Sequence, residues 1–432
     1  MSGRALVLRG DARALPLPDA SVDLIVTSPP YYSLRAYTDG GEMYDGQIGA
    51  EPTPQEYIAA LVDCTREWMR VLKPSGSCWV DLGDKYSGQP GGPPGSTSPV
   101  FDGRTRAEGW RTRAPRRDKG PVRNKSLMLL PERYRIACVD QLGLIARAVV
   151  VWSKPNGLPE SVTDRVRRSH EDWVHLTRQP RYYSAVDEIR ESYAPRYVDR
   201  VARYGGRSRE DLPARHYATG DRNDSAAARG ILGLNHTGSL DPLGKLPGSV
   251  WEIATEPLTV PDHLGVDHFA AFPTEWPRRI ILGWSPSGIC VECGEGRRPV
   301  AWRSDQPVKV WDLAPTGTDR RAGQRHGIDG STLGLAYTRT ITGEACACPE
   351  PTAPTRPSVI LDPFGGTGTS ALVAVSLGRI GITVDRSADY CRLAAWRTTD
   401  PGQLAKAMRV DAPPREHEDQ IALFEREVVA SA

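Results

Sequence analysis

With 432 residues, of which 39% are hydrophobic and 25% charged, the chain is long enough for one large domain with insertions or for two domains, each with a hydrophobic core. It contains no run of about 18 apolar residues and its N-terminus does not resemble a signal peptide, which excludes an ordinary transmembrane protein and makes the cytoplasm the expected location. The net charge is only +2. Of the 55 lysine and arginine residues, however, only eight are lysine. This excess of arginine reflects either the composition of the genome or a use of arginine in bidentate contacts to phosphate and guanine.

Apolar runs alternate with helical patterns along the chain. Six runs predict strands, at residues 5–8, 22–26, 77–82, 148–152, 358–361 and 381–384. Three patterns predict helices, at residues 54–71, 129–142 and 369–377. This alternation favours an α/β fold with a doubly wound, mainly parallel sheet.

The second predicted strand ends in an unusual tetrapeptide. Ser28-Pro29-Pro30-Tyr31 follows it after Thr27, and Tyr32 comes next. A residue before proline is held in an extended conformation, and proline has no N–H to donate, so the segment should form a stiff turn that exposes hydrogen-bond acceptors. By itself the tetrapeptide, which we call the proline turn, fits either an ordinary turn or a reaction site.

Three stretches interrupt the alternation. Residues 87–125 are rich in Gly, Pro and Arg and predict a mobile basic loop, which is either a solvated excursion or a segment that closes on nucleic acid. Residues 192–250 are polar, rich in arginine and weakly periodic. Residues 285–350 are bracketed by two pairs of cysteines.

These pairs are Cys290 with Cys293 and Cys346 with Cys348. Four thiolates in two close pairs suit a tetrahedral zinc ion, whose role would be structural because four cysteine ligands leave no open position. The 52-residue gap and the one-residue spacing of the second pair are looser than in a zinc ribbon, so unligated thiols are the alternative.

A glycine-rich turn follows the predicted strand at 358–361. It reads DPFGGTGT over residues 362–369 and leads into an apolar helix. Glycine allows a tight turn and a close approach of the backbone to a ligand. The next predicted strand ends at Asp385, 17 residues after Gly368, near where an acid bonds a ribose diol. This segment, which we call the glycine turn, therefore predicts a nucleotide-type cofactor.

Together the two turns resemble the amino-methyltransferases of DNA, which use S-adenosylmethionine to methylate exocyclic amines. The order, with the proline turn first, resembles the circularly permuted beta class of that family. Other segments similar to the family lie at residues 76–87, 150–165, 169–176, 249–257 and 268–281. The resemblance covers most of residues 5–400 and implies a Rossmann-like, class I methyltransferase fold with inserted loops and a Cys-rich insertion.

The resemblance also implies a role for individual residues. As catalytic residues it implies Ser28, Pro29, Pro30 and Tyr31. For the cofactor it implies Asp11, Phe272, Pro273, Asp362, Phe364, Gly365, Gly366, Gly368, Thr369 and Asp385. Near DNA or the base it implies Tyr32, Trp152, Lys154 and Asn156, although Lys154 also fits a plain strand end. The sequence departs from the usual family pattern at Gly366-Thr367 and at Thr383-Val384.

This interpretation divides the chain into eight segments. They are a catalytic core (1–86), the basic loop (87–125), a second part of the core (126–191), a candidate target-recognition region (192–250), a segment that closes over the cofactor (251–284), the Cys-rich, candidate zinc-binding insertion (285–350), the cofactor-binding core (351–400) and a C-terminal tail (401–432). In the tail, Gln420–Phe424 resembles the peptide by which bacterial DNA enzymes bind the sliding clamp, and it equally fits a short amphipathic helix.

The chemistry of amine methylation explains why such residues are needed. An aromatic amine is a poor nucleophile, and acceptors that hold its two hydrogens favour a pyramidal nitrogen in the transition state. The Ser28 hydroxyl and the Pro29 carbonyl would be those acceptors, and the Tyr31 ring would stack on a base flipped out of the duplex. Methylation of a cytosine carbon is disfavoured because no Pro-Cys pair occurs.

Within the family, serine at the first position of the tetrapeptide favours cytosine N4 and aspartate favours adenine N6. We therefore predict a DNA methyltransferase specific for cytosine N4, acting on double-stranded DNA in a bacterial or phage nucleoid, with a cognate restriction endonuclease as a candidate partner and no membrane contact. The alternatives are adenine N6 methylation, an RNA or protein-glutamine methyltransferase, and a zinc-ribbon DNA-binding protein without activity.

Overall fold

The structure is a computed structural model that describes residues 3–33, 46–87, 122–123, 125–157, 159–193, 241, 243–266, 271–303, 339–348 and 353–411, together with short strands at 38–39, 42–43, 308–309 and 335–336. The chain divides into two compact units. The first comprises Met1–Tyr183, Ser249–Ile289 and Thr355–Ala432, and the second comprises Ser184–Gly248 and Cys290–Pro354. Among the described helices, none has the length and apolar character needed to cross a membrane.

An eight-stranded sheet organises the first unit. In chain order its strands are β1 (Arg4–Arg9), β2 (Val22–Thr27), β3 (Leu72–Leu82), β4 (Ile145–Ser153), β5 (His170–Thr177), β6 (Val250–Glu252), β7 (Val359–Asp362) and β8 (Ile380–Asp385). Across the sheet they lie in the order β1-β8-β7-β2-β3-β5-β4-β6. Strand β5 is antiparallel to both neighbours, whereas the other adjacent pairs are parallel. The α/β fold with a mainly parallel sheet is confirmed.

The helices described in this unit lie between the strands in the chain or after the last of them. They are α1 (Pro54–Val71), α2 (Leu130–Leu142), α3 (Glu275–Trp284), α4 (Thr369–Ser376), α5 (Ala388–Thr399) and α6 (Pro401–Met408), with a 3₁₀ turn at Asp262–Leu264. Helix α1 begins with a capping box, in which Glu56 N donates to Thr53 Oγ1 at 3.2 Å and Thr53 N donates to Glu56 Oε2 at 3.0 Å. It joins α2 through a buried hydroxyl pair, Thr65 and Tyr134, at 2.7 Å.

The sequence pattern misses two strands, β5 and β6. Strand β5 begins with the polar residues His-Glu-Asp, so its apolar residues do not form a run that is long enough to predict a strand. Strand β6 has only three residues. Strand β3 also begins earlier than predicted, at Leu72. By contrast all six residues of β2 are buried, as expected of a strand with neighbours on both sides and helices nearby.

The second unit contains two antiparallel strand pairs and an ion-pair network. The pairs are Arg298–Arg303 with Arg339–Ala345 and Val308–Lys309 with Leu335–Ala336, and a 3₁₀ helix spans Val186–Ile189. In the network, Arg190 contacts Asp187 at 2.6 Å and Asp241 at 3.2 Å, and Arg339 contacts the same two acids at 3.6 and 2.8 Å. Residues from either side of the long core segment 249–289 thus meet in one unit. In the first unit, short strands also pair at Thr38–Asp39 with Glu42–Met43.

Three features predicted from the sequence lie wholly or mainly outside the described residues. They are the basic loop at 87–125, the candidate target-recognition region at 192–250 and the clamp-like peptide Gln420–Phe424. They stay predictions from the sequence.

Candidate active site

Both turns lie at the carboxyl edge of the sheet. The proline turn follows β2 and the glycine turn begins at the end of β7, and these strands are parallel neighbours, with Ile360 opposite Leu24. Since parallel neighbours end at the same edge, residues far apart in the chain are brought together there. The Ser370 hydroxyl, just after the glycine turn, donates to the Val26 carbonyl at 3.1 Å and ties the two edges to each other.

A cavity of about 700 Å³, the main cavity, lies between the two turns, and its volume is typical of ligand pockets. Of the predicted site residues it is lined by Ser28, Pro29, Tyr31, Trp152, Lys154, Asn156, Phe272, Phe364, Gly365, Gly366 and Thr369. A smaller cavity of about 100 Å³ is lined by the predicted residues Asp11, Pro30 and Asp385, and it shares Ser28, Phe364 and Gly366 with the main cavity. The two cavities therefore meet between the proline turn and the glycine turn.

Four predicted site residues line neither cavity: Tyr32, Pro273, Asp362 and Gly368. Tyr32 is 2% exposed, packs on the Tyr57 ring and donates its hydroxyl to the Pro52 carbonyl at 3.2 Å, so its side chain belongs to the core. Its neighbour Tyr31, by contrast, lines the main cavity.

Asp362 supports the glycine turn from behind. Its Oδ1 accepts the Phe364 N–H at 3.2 Å and its Oδ2 accepts the Ser370 hydroxyl at 2.9 Å, while the side chain is 1% exposed. Burial raises the pKa of Asp362 to about 6, an effect that these hydrogen bonds partly offset. Asp362 thus fixes the shape of the turn without facing the cavities.

Glycine is required in the turn for steric reasons. A Cβ on Gly365 would lie 1.6 Å from Thr383 Oγ1, and Gly366 and Gly368 have φ of +48° and +73°. The close approach lets Gly366 N–H donate to Asp385 Oδ2 at 2.9 Å, while Asp385 Oδ1 accepts the Ser387 N–H at 2.8 Å. Two backbone donors therefore fix the orientation of the Asp385 carboxylate at the smaller cavity.

Asp11 reaches the smaller cavity as one half of an ion pair. Arg13 donates to it through Nε at 3.0 Å, through Nη2 at 2.7 Å and through its backbone N–H at 2.9 Å. These hydrogen bonds hold the pKa of Asp11 below its usual range. The cavity wall at this point is a fixed Asp–Arg pair.

At the proline turn the Tyr31 ring lies close to Gly83. A Cβ on Gly83 would lie 2.7 Å from Tyr31 Cε2, and the Tyr31 hydroxyl donates to Asp81 Oδ2 at 3.2 Å. The Pro30 carbonyl is already occupied by the Tyr57 hydroxyl at 2.9 Å, whereas Pro29 lines the main cavity. The ring is consequently fixed on one side by a glycine and at its tip by a carboxyl group.

Three acidic residues that line the main cavity, Asp81, Glu171 and Glu256, are absent from the sequence prediction. Lys154 Nζ contacts Glu171 Oε1 at 2.6 Å and lies 4.1 Å from the centre of the Trp152 ring. Burial, together with the Glu171 carboxylate, raises the pKa of Asp81 well above its usual range, while Lys154 and nearby hydroxyls partly offset the effect. Burial and the two carboxylates also raise the pKa of Tyr31. Asp81 and Glu171 lie on different strands, β3 and β5, so no local motif in the sequence indicates that they meet.

Asn156 is hydrogen-bonded to the backbone of Thr255, which also lines the main cavity. Its Oδ1 accepts the Thr255 N–H at 2.8 Å and its Nδ2 donates to the Thr255 carbonyl at 3.3 Å. Trp152 likewise donates through Nε1 to the Ile253 carbonyl at 2.7 Å. In this arrangement both side chains hold the segment after β6 beside the main cavity.

The four cysteines of the second unit form a compact cluster. All four Sγ atoms of Cys290, Cys293, Cys346 and Cys348 lie within 4.8 Å of one another. The backbone N–H groups of Glu292 and Cys293 also bond the Cys290 sulfur, and Gly294, at φ +72°, lets the chain turn back after the first pair. Four sulfur donors around one point are the donor set of a closed tetrahedral zinc site.

A family model for DNA methylases (N6_N4_Mtase) matches residues 22–291, more than half of the chain. The chain belongs to this family. The match includes the proline turn and Asp81, Lys154 and Glu171 of the main cavity, while the glycine turn lies beyond it. The family resemblance inferred from the two turns is confirmed.

Curated relatives of this DNA methylase are type II methyltransferases. It is 38% identical to M.SfiI of Streptomyces fimbriatus over 177 residues, which are 40% of this chain and 35% of that protein. It is 34% identical to M.SmaI of Serratia marcescens over 216 residues, or 49% of this chain and 70% of that protein. For M.Cfr9I of Citrobacter freundii the identity is 37% over 189 residues, or 43% of this chain and 59% of that protein. The chain thus spans about a third to 70% of these relatives.

Two solved structures are similar to this DNA methylase over most of its length. PvuII DNA methyltransferase, described as cytosine-N4-specific, is 14% identical with a TM-score of 0.48, covering 95% of this chain and 92% of that one. A putative DNA modification methylase from Thermus thermophilus, complexed with S-adenosyl-L-methionine, is 16% identical with a TM-score of 0.39, covering 95% and 98%.

Proposed function

We propose that the protein methylates DNA at the exocyclic N4 amine of a flipped cytosine, with S-adenosylmethionine as methyl donor. The observation that carries this proposal is the meeting of the two cavities, which share Ser28, Phe364 and Gly366. The smaller cavity, with Asp385 and the Asp11–Arg13 pair, would hold the nucleoside of the cofactor, and the glycine turn would hold its methionine. When bound there, the cofactor supplies an activated methyl group and its own leaving group.

The proline turn supplies what the amine needs. The Ser28 hydroxyl and the Pro29 carbonyl are suited to accept the two amine hydrogens, whereas the Pro30 carbonyl already accepts the Tyr57 hydroxyl. The Tyr31 ring, held by Gly83 and Asp81, offers a face on which the extruded base can stack. Positioning of this kind lowers the barrier without a strong base.

Asp81 completes this proposal by accepting the proton that the methylated amine must lose. An ionised carboxyl with a raised pKa is a stronger base than an ordinary one, and Asp81 already contacts the Tyr31 hydroxyl. The Lys154–Glu171 ion pair keeps the neighbouring wall close to neutral, which suits an uncharged base. We assign cytosine over adenine because serine stands first in the proline turn, as in the cytosine N4 enzymes that the sequence resembles.

The wider setting follows from the family and belongs to the same proposal. The protein would act on double-stranded DNA in the bacterial or phage nucleoid, in the cytoplasm. A cognate restriction endonuclease is a candidate partner, since the curated relatives are type II methyltransferases. The candidate target-recognition region at 192–250 would read the DNA sequence.

The proposal is tested by expressing the protein in a host without DNA methylation and sequencing the genome by a method sensitive to modified bases. We expect N4-methylcytosine at one recognition sequence, its loss in Ser28→Ala, and its retention in Ser376→Ala, a serine on α4 outside both cavities. N6-methyladenine at one sequence would overturn the choice of cytosine. An unmodified genome in cells that contain folded protein would overturn the methyltransferase proposal.

We also propose that the cysteine cluster binds one structural zinc ion and so joins the two ends of residues 290–348. The close grouping of the four sulfur atoms supports this. Purified protein should contain one zinc per chain by mass spectrometry of the elements. The Cys290→Ser/Cys293→Ser variant should lose it, and Cys391→Ser, a cysteine on α5 outside the cluster, should keep it. Zinc-free wild-type protein with two disulfides in the cluster would contradict the proposal.

A further inference from the structure

Arg397, on α5, is a buried arginine without an ion pair among the described residues. It is 4% exposed, and burial lowers its pKa to about 10, so it still carries its charge at neutral pH. Glu256 is the carboxylate that acts on it electrostatically, but Glu256 already accepts from Thr274 N and Oγ1 and pairs with Lys406 at 2.7 Å. A buried, uncompensated cation is costly, which calls for an explanation.

The guanidinium group is directed at the glycine turn. Arg397 Nη1 donates to Thr367 Oγ1 at 2.8 Å and to Thr369 Oγ1 at 2.6 Å. Both threonines line the main cavity, although they are only 4% and 2% exposed. Arg397 therefore reaches the cavity through two hydroxyl groups and does not touch it directly.

A count of hydrogens shows what these hydroxyls offer to a ligand. Arg397 uses both oxygens as acceptors, and the oxygens themselves lie 3.1 Å apart, so one hydroxyl donates to the other. One of the two hydroxyl hydrogens is then left for a further acceptor. Helix α4 begins at Thr369 with no side-chain cap, so the positive end of its dipole adds to the field of Arg397 at the same place. The position favours an anionic acceptor.

We propose that Arg397 is a positioning residue that makes the Thr367–Thr369 hydroxyl pair a receptor for the carboxylate of the cofactor's methionine. The proposal rests on the proposed function, since it assumes an S-adenosylmethionine cofactor. The carboxylate accepts the remaining hydroxyl hydrogen and compensates the buried charge of Arg397. A neutral ligand of the same nucleoside would gain nothing from the arginine, and this difference gives the test.

The test combines two ligands with matched variants in calorimetric titrations of the full-length protein. S-adenosylhomocysteine carries the amino-acid carboxylate, and 5′-methylthioadenosine lacks the whole amino-acid group. In Arg397→Met we expect the dissociation constant for S-adenosylhomocysteine to rise about tenfold or more, as for loss of a charge-assisted contact, while that for methylthioadenosine changes less than about twofold. Arg392→Met, on the same helix with a 57% exposed side chain, should bind both ligands like the wild type.

Thr369→Val gives an independent measurement if Arg397→Met does not fold, since it removes one hydroxyl at nearly equal volume, and it should show the same ligand-selective loss. Arg397→Lys, which keeps the charge, should bind S-adenosylhomocysteine better than Arg397→Met. Equal weakening for both ligands would mean that Arg397 only braces the turn and would overturn this inference alone. A wild-type protein that binds neither ligand would overturn the proposed function as well.

Discussion

At the proline turn the wall of the main cavity is made of side chains from several strands, whereas at the glycine turn it is made largely of backbone. At the proline turn these side chains are Asp81 of β3, Lys154 just after β4 and Glu171 near the start of β5. At the glycine turn the buried titratable groups, Asp362 and Arg397, lie behind the turn.

This difference between the two ends of the cavity shows that a buried titratable residue can have two roles, one in the reaction and one in supporting the backbone. Burial raises the pKa of both Asp81 and Asp362, but only Asp81 lines the main cavity. A titratable group in the wall can take part in the reaction, whereas one behind the wall holds a backbone conformation. Substitutions at the two ends should therefore separate chemistry from cofactor binding.

The largest effect is expected for Gly365→Ala, at the glycine turn. The added methyl group would lie 1.6 Å from Thr383 Oγ1, so the turn must move or the protein loses about 1–3 kcal/mol of stability. Calorimetry should detect no binding of S-adenosylhomocysteine, and activity should be absent. Gly343→Ala, where a Cβ meets nothing within 4 Å, is the control and should bind normally. Normal binding by Gly365→Ala would show that the glycine turn does not hold the cofactor.

Asp81→Asn should affect chemistry and leave cofactor binding intact. We expect kcat to fall about a hundredfold or more, the usual cost of removing a general base. An acid with a raised folded-state pKa costs stability as pH rises from its unfolded value, near 4, toward the folded value. The asparagine variant lacks this cost, so thermal unfolding at neutral pH should occur at a higher temperature than in the wild type. A variant with wild-type kcat would contradict the role of Asp81 as proton acceptor.

Gly83→Ala tests the position of the Tyr31 ring. The new Cβ would lie 2.7 Å from Tyr31 Cε2 and push the ring from its place, while the glycine turn is untouched. Because misplacement of a stacking group lowers the rate, we expect kcat to fall about tenfold. The dissociation constant for S-adenosylhomocysteine should stay at the wild-type value in calorimetry. Parallel losses of both quantities would mean that the two ends of the cavity are not independent.

The smallest effect on function is expected for Asp362→Asn. The amide oxygen can still accept the Phe364 N–H, and the amide nitrogen can donate to Ser370 Oγ, so cofactor binding and kcat should change less than about threefold. The wild type should lose stability between about pH 4 and the Asp362 pKa of about 6, at up to about 1.4 kcal/mol per pH unit. When the free energy of unfolding is measured by denaturation at several pH values in this range, it should fall less steeply with pH in the variant than in the wild type. Loss of cofactor binding would show that Asp362 acts on the ligand and not only on the turn.

The sequence reveals the backbone features better than the side-chain constellation. The glycine turn and the proline turn are local, because their geometry is dictated by residue types that allow or forbid backbone angles. Asp81, Glu171 and Arg397 meet the turns only through the sheet order and the packing of α5, and no spacing in the chain encodes this. Strand β5, which carries Glu171, is not predicted from the apolar pattern because its first residues are polar.

Two site assignments show the same limit in more detail. Tyr32 stands next to Tyr31 in the chain, yet its ring is buried in the core while Tyr31 lines the main cavity. Asp362 belongs to the glycine turn by sequence, yet its carboxyl accepts from Phe364 and Ser370 within the protein. The position of a residue in a sequence motif therefore does not reveal whether its side chain lines the cavity or points into the protein.

The central claim is that the proline turn and the glycine turn form one methyl-transfer site for a DNA base. The most direct measurement incubates purified protein with unmethylated DNA and S-adenosylmethionine that carries a deuterated methyl group, followed by mass spectrometry of the nucleosides. We expect the deuterated methyl group on N4 of deoxycytidine with the wild-type protein, and none with Ser28→Ala or Gly365→Ala. Unlabelled DNA from a wild-type protein that binds the cofactor would contradict the claim.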